Sequence, residues 1–574
     1  MGLPPLRSLV LLHFGDDPAP LAPGRVWPDP PRPARSDAGA GIHRAQNERL
    51  CSGHFPDRVP VGEPPSGSAR HGPLLDGTDV RVREAHREPA TEAQTCFKGS
   101  VVKDKVPIVI LGGGVGGLAV GWFLLRTGRY EVTVVERDQV IGGHCGSFVY
   151  DGFTLDHGPH KIYSVIPGVL DEIRTLMSGR LIEHKKRHSI YLNGRLLSYP
   201  LEMGNLARVL GPRHFAGLGM SYGISILKRL LPHTDPSSYE EYVVRRFGRG
   251  VYELVFEPLA WKVWGDPAIL HPDMARTRIP SAGAGDLILT LLHLKQASSD
   301  TNAETFYYPR RGFGDLPQTM ADYIAKRGGH ILVNSQAIRL NRSDASITSV
   351  TIRSNGAIRT LPCRFLVSSL PLSLLGGLVY GEGDEDFVRT VGSLRFRHLV
   401  LVYVFINQPR ILDDHWVFFP EREFLFSRVS EQKLMNVELG PPDRTVLCCD
   451  FTASEGDEVW SLTDDELATR CVSGLVKAGF VSAKDVQHCL VKRSENFYPV
   501  YDRSYEQSMK AVSEKLHGTE NLLTTGRIGM YNYNNSDHCV DMGRFIADRL
   551  AKGASPPVIW TELERRVRSY RIVD

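Results

Sequence analysis

The sequence predicts an α/β protein: a nucleotide-binding βα unit, a helical block after it, and a further sheet of mixed or antiparallel strands. Three observations predict this. A short apolar β run passes through glycines into a long apolar helix at residues 106–125 (VPIVILGGGVGGLAVGWFLL). From about Leu201 to Leu294 runs with apolar residues at mixed three and four spacing dominate, among them Ser237 to Trp264. Alternating β-formers follow at His330–Leu340, Ile347–Ile358, Arg364–Ser368, Leu399–Ile406, Trp416–Phe419 and Thr445–Phe451, which together suggest a second sheet.

The whole-chain numbers exclude several classes. At 574 residues, with 42% hydrophobic and 23% charged, the chain exceeds one ordinary core and has the apolar material to build more than one. A net charge of +3, from 68 basic against 65 acidic residues, creates no global field toward nucleic acid. Nine scattered cysteines without a CxxC pair fit a reduced compartment, here read as cytoplasmic, and no zinc site. No run reaches the roughly eighteen apolar residues of a spanning helix, while docking on lipid through one apolar face of the helical block stays open. Residues 1–104 hold 15 of the 37 prolines and balanced charge without apolar periodicity. They read as a disordered extension.

The βα unit carries the first chemistry. Gly112, Gly114 and Gly117 form GxGxxG around Val115 and Gly116, and Glu136 ends the next β run (EVTVVE), followed by Arg137. The first glycine permits the tight turn, the second admits a pyrophosphate to the backbone, and the third lets helix and strand pack. The helix N-terminus faces the phosphates. A carboxylate at Glu136 accepts from a ribose diol and repels a 2′-phosphate, which disfavours NADP. A second glycine loop, IGGHCGS, brings Gly143 and His144, and DHGPHKIYS brings Gly158 and His160.

These runs (ILGGGVGGL, ERD, IGGHCGS) resemble the FAD-binding region of glutathione-reductase-type flavoproteins, in particular the amine oxidase and protoporphyrinogen oxidase branch. The stretches GPHKIYS, NGRLLSYPL, FGRGVYELVFEPLAWKVWG, YYPRRGFGDLPQTM and TGRIGMYNYNNSDH are similar, in that order, to UDP-galactopyranose mutases and protoporphyrinogen-oxidase-like proteins, over about residues 106–550. The resemblance implies FAD held noncovalently and a discontinuous Rossmann domain, with LVSSLPL (366–372) as the strand and turn that leaves it. It sets expected boundaries: FAD-binding parts at 105–200, 301–372 and 511–552, a helical cap at 201–300, a substrate sheet at 373–510 and a tail at 553–574. In the last FAD part Gly526, Arg527, Tyr531, Tyr533 and Asp537 correspond to the family's carboxy-terminal flavin loop.

The resemblance also implies two chemistries for a small-molecule substrate: hydride transfer to flavin N5, or a redox-neutral rearrangement of a nucleotide sugar. His160, Trp264 and Arg278 are the catalytic candidates, since the matching histidine lies by the flavin and the matching tryptophan near the sugar in mutases. Two departures argue against the mutase: Tyr163 replaces its second histidine, and Ala282 its diphosphate arginine. The aromatic stretches His415–Val429 and Asn496–Tyr505 resemble oxidase segments, either tunnel wall or, the favoured reading, packed sheet. Lys262 reads as a solvated helix-end lysine rather than a cation beside the flavin, Cys145 as a packing residue, and His184–His188 (HKKRH) as a solvated turn. Tyr307–Arg311 stays open between cofactor and substrate contact. The sequence sets no oligomeric state.

Overall fold

A computed structural model describes residues 105–198, 203–229, 235–278, 304–380 and 385–572. The expected disorder of residues 1–104 and the place of Ala282 lie outside them.

The β-branched run Val106–Leu111 is the middle of a five-stranded parallel sheet, ordered Leu522–Thr524, Phe365–Ser368, Val106–Leu111, Tyr130–Val135, His330–Leu332. Near-continuous apolar strands suit this position, because helices cover both faces of a parallel sheet. The helix Val115–Arg126 is buried along almost its entire length. Helices Asp315–Lys326 and Ser536–Ala551 pack against it. Gly543 makes the second contact possible: a Cβ there would lie 2.6 Å from the backbone of Ala119.

A seven-stranded sheet stands apart, ordered Val486–Pro499, Phe396–Ile406, Thr445–Ala453, Arg428–Glu431, Trp416–Phe418, His188–Leu192, Arg195–Ser198. It is antiparallel except where Trp416–Phe418 runs parallel to His188–Leu192, so it is mixed. Side chains alternate between its faces. Val400, Val402, Val404, Val417, Val429, Leu447, Cys449 and Phe451 share one core with Leu467, Cys471 and Leu475 of the helix Asp464–Lys477. The opposite face carries a cross-strand row of paired residues: Lys492, Leu401, Asp450, Arg428 and Phe418.

The β segments expected to make one second sheet divide over three. His330–Leu332 and Phe365–Ser368 join the parallel sheet, and Ser335–Ser343, Ser346–Ser354 and Ala357–Pro362 make a separate antiparallel one. Short β runs carry no mark of their partners, which are fixed by distant chain. The helical block contains the helix Met203–Arg229, kinked where Gly211 leaves helical geometry before Pro212. Helices Tyr239–Phe247 and Glu257–Trp264 follow, with a π turn at Tyr252–Phe256 between them.

Candidate cofactor and substrate site

A cavity of about 1090 Å³ opens where the parallel sheet, the second glycine loop and the seven-stranded sheet meet. One end is a dinucleotide cradle. The helix Val115–Arg126 begins at Gly114 with no side-chain cap and no acid in its first turn, so its leading N–H groups can face an anion. Gly112 takes φ +99, and a Cβ at Gly117 would collide with the Gly112 carbonyl, so this glycine sets the approach of helix to strand. Glu136 braces the turn: its carboxylate accepts from the backbone N–H of Gly113 at 2.7 Å and of Asp138 at 2.9 Å. Ser369, at the exit of strand Phe365–Ser368, donates to the Leu111 carbonyl at 3.0 Å and also lines the cavity.

The carboxy-terminal loop closes the cradle from the other side. Arg527 donates to the Asn534 carbonyl through Nε at 2.8 Å and Nη2 at 2.5 Å, which folds the loop on itself. Its guanidinium lies 5.4 Å from the Tyr498 ring centre and 5.7 Å from that of Tyr533. The Tyr498 and Tyr533 rings stack at 5.1 Å, and Arg278 lies over Tyr533 at 4.4 Å and donates to its hydroxyl. Asn534 Nδ2 is buried with no hydrogen-bond partner among the described residues, on a residue that lines the cavity. A donor left so is costly unless a ligand accepts from it. This amide, the uncapped helix and the Glu136 carboxylate fit an adenine dinucleotide.

Three histidines face the space beyond. Burial lowers His144 to about 3, with the Arg527 charge adding to the effect. It lowers His157 to about 4, helped by Lys492, and His160 to about 4. All three are neutral at pH 7. His160 Nδ1 donates to the Gly158 carbonyl at 2.8 Å and its ring stacks on Phe313, leaving Nε2 as acceptor. Nearby, Asp156 accepts from Ser147, Tyr308, Gln432 and the Phe313 backbone, and burial raises its carboxyl. It holds the GPH segment in place.

The far wall comes from the seven-stranded sheet. Trp416, Phe418 and His188 line it, while Val417 between them points to the opposite core. Arg428 on the same face donates to the buried Asp450 at 2.8 Å. Lys492 sits 3.8 Å over the Phe148 ring. The sequence pattern marks neither Arg428, within the aromatic stretch His415–Val429, nor Lys492 as a cavity residue. Their signal is cross-strand pairing: Arg428 stands opposite the cavity-lining Phe418, and Lys492 continues the same row through Leu401 and Asp450.

The structure brings Gly112, Gly114, Val115, Gly116, Glu136, Arg137, Gly143, His144, Gly158, His160, Arg278, Gly526, Arg527 and Tyr533 to this cavity. Four expected site residues lie elsewhere. Gly117 is behind the turn. Trp264 is buried edge-on to Tyr533 at 6.3 Å, backing the ring rather than facing the cavity. Tyr531 takes φ +45 and donates to the carbonyls of Arg395 and Val500, so it pins the loop. Asp537 is buried beside His538 in the first turn of its helix.

Other readings change too. Lys262 is neither solvated nor at the cavity: its ammonium donates to the carbonyls of Phe419, Glu421 and Phe426, and burial lowers it to about 7. The HKKRH run forms the ends of two strands, with His184 stacked on Phe306 and His188 on Trp416, because alternation turns both rings inward. Within Tyr307–Arg311, Tyr307 donates to Glu183, Tyr308 to Asp156, and Arg311 pairs with Asp315, all away from the cavity. Cys145 lines the cavity, and burial raises its thiol to about 12. The aromatic stretches divide, with Trp416, Phe418, Phe497 and Tyr498 on the cavity and Phe419, Phe424 and Phe426 in the core.

An uncapped helix over a glycine turn, an acid after the second strand and a returning carboxy-terminal loop define a dinucleotide-binding protein of flavoprotein type. Residues 115–510 match the family described as flavin containing amine oxidoreductase, and the chain belongs to that family. The family is one of flavin-containing oxidoreductases, and the cradle described above fits the adenine dinucleotide of FAD. Among curated relatives it is 25% identical over 309 residues to phytoene dehydrogenase of Streptomyces griseus, covering 47% of this chain and 56% of that one. It is 30% identical over 289 residues to all-trans-retinol 13,14-reductase of Danio rerio, covering 43% and 44%. The chain spans about half the length of the curated relatives it matches. Among solved structures, a reduced UDP-galactopyranose mutase aligns with TM-score 0.70 at 19% identity, over 81% of this chain and 99% of that one. A putative protoporphyrinogen oxidase from Exiguobacterium sp. 255-15 aligns with TM-score 0.60 at 16% identity, over 79% and 99%. At these identities the likeness is one of fold.

Proposed function

We propose that the enzyme moves a hydride between an apolar, unsaturated organic substrate and the N5 position of FAD, with the substrate lying between the glycine loops and the seven-stranded sheet. Bound flavin supplies a two-electron centre there. The chain supplies the wall: Trp416, Phe418 and His188 give aromatic surface, and His157 and His160 stay neutral beside it. The observation that carries the reading is the distribution of acids. Among the described lining residues Glu136 and Asp138 sit at the nucleotide end, and the exposed Glu495 is the remaining carboxylate. A wall so poor in anions, with Lys161, Arg428, Lys492 and Arg493 also on it, disfavours a cationic amine. The names of two relatives, phytoene dehydrogenase and all-trans-retinol 13,14-reductase, point to the apolar, unsaturated class.

The test is anaerobic mixing of the flavin-loaded protein with phytoene, coproporphyrinogen and simple amines, and of the dithionite-reduced protein with all-trans-retinol, where reoxidation of the flavin counts in place of bleaching. Bleaching of the flavin by a conjugated or polyprenoid compound, and not by amines, is expected. Bleaching by amines alone refutes the proposal.

A second reading rests on Arg278 and Arg527, which meet the two aromatic rings Tyr533 and Tyr498 on this one cavity. Two guanidiniums so placed can bind a diphosphate, as a nucleotide-sugar isomerase requires. Dithionite-reduced protein that converts UDP-galactopyranose to the furanose without net electron transfer decides for it.

A further inference from the structure

Beyond Gly211 the helix Met203–Arg229 is built inside out. Its inward side packs on the glycines that follow helix Tyr239–Phe247. Cβ atoms at Gly248 and Gly250 would lie 2.9 Å from the Ser221 backbone and 2.7 Å from Leu218. The Ser221 hydroxyl accepts from the Gly250 N–H at 2.9 Å, Ser225 is buried, and Arg229 donates to the Arg246 carbonyl at 2.7 Å. Serines and an arginine therefore face the protein. Met220, Ile224 and Leu227, spaced four and three apart and hence on one side of the helix, face away from it with relative exposures of 68%, 48% and 65%. Ile226 beside them is 41% exposed. A helix that docks only on its own protein shows the reverse distribution.

The charges on this helix indicate what covers it. Across 27 residues it carries Arg208, Arg213, Lys228 and Arg229 with His214, and no Asp or Glu. The chain as a whole is near balance, 68 basic to 65 acidic. A basic helix with an outward apolar stripe is complementary to negatively charged head groups over hydrocarbon, and it lies in the interface plane. Among the described residues no helix is long and apolar enough to cross a membrane.

We propose that this face docks the enzyme on an anionic lipid bilayer, with Met220, Ile224 and Leu227 entering the acyl boundary and the exposed Arg213 and Lys228 meeting the head groups. The proposal stands apart from the substrate reading, since it uses no residue of the cavity.

The full-length, flavin-loaded protein is sedimented with vesicles of phosphatidylcholine containing phosphatidylserine, and with vesicles of phosphatidylcholine alone. Binding to the mixed vesicles is expected, about tenfold or more above that to the neutral ones and reversed by salt. The triple variant Met220→Asp, Ile224→Asp, Leu227→Asp is expected to lose at least about tenfold of this binding with flavin content unchanged. Should it fail to fold, the single Leu227→Asp and the pair Arg213→Gln, Lys228→Gln are expected to weaken binding in the same direction. No sedimentation of the wild type with either vesicle, equal binding to both, or full binding by a folded variant overturns the proposal. Self-association in the ultracentrifuge that the same substitutions abolish, without vesicle binding, assigns the face to a second copy of the chain and overturns it equally.

Discussion

Gly116→Ala tests how the two ends of the FAD-binding half meet. Gly116 opens the first turn of helix Val115–Arg126, and a Cβ there would lie 2.8 Å from Gly526 Cα and 3.2 Å from Gly526 N. Carbon atoms rest about 3.5–4.0 Å apart, so two backbone segments must separate by roughly an ångström. Neither is the free end of a side chain. Overpacking of this kind costs about 1–3 kcal/mol. The displaced segment carries Arg527 and Asn534, both on the cavity, so the cost falls on cofactor affinity as well as stability. A loss of about tenfold to a hundredfold in FAD affinity follows, since each factor of ten is about 1.4 kcal/mol. The assay is titration of flavin-free protein with FAD, with thermal melts alongside. Gly377→Ala is the control: it lies in helix Leu372–Tyr380 with no atom within 4 Å of its Cβ position, and it should match the parent or gain slightly. If Gly116→Ala binds FAD as tightly as the parent and melts at the same temperature, the proposed close approach is wrong.

Glu136→Gln removes the charge from two hydrogen bonds and turns an N–H donor toward one of them, so FAD should bind about tenfold or more weakly by calorimetry. The three cavity histidines give a pH dependence. Their folded values of about 3 to 4 lie below the unfolded value of about 6.5. Between those limits the unfolded chain takes up protons that the folded chain refuses, so stability falls as pH drops from about 6.5 toward 4. Denaturant unfolding should show this slope, and His157→Asn should reduce it; an unchanged slope contradicts the assignment. Lys262→Met leaves the Phe419, Glu421 and Phe426 carbonyls without their donor and should cost about 2–4 kcal/mol in denaturant unfolding, with flavin content retained.

The nucleotide turn was legible because its signal is local: glycines at fixed offsets, a strand before, a helix after and an acid at the end of the next strand. The returning loop at Gly526 and Arg527 was legible by motif. Motif continuity does not separate residues that line the cavity from those beside it: Tyr531 bonds the Arg395 and Val500 carbonyls, Asp537 lies buried beside His538, and Trp264 lies behind Tyr533. In the aromatic strands the missing information was parity. Trp416 and Phe418 face the cavity while Val417 faces the core, a choice fixed by pairing with strands far away in the chain. The same cause hid Lys492 and Arg428. Dense charge made HKKRH look solvated, yet alternation places two of its rings inside.

The edge strand Leu522–Thr524 of the parallel sheet pairs with Phe365–Ser368, more than 150 residues before it. During translation its neighbour Phe365–Ser368 must therefore wait, with backbone groups open along one side, while more than a hundred further residues leave the ribosome. Such distant pairing makes folding slow, and an incomplete nascent sheet is adhesive. A polypeptide released before Leu522 would lack both the strand that finishes the sheet and the loop at Gly526 and Arg527, so chaperone demand should last until Leu522–Thr524 has been made.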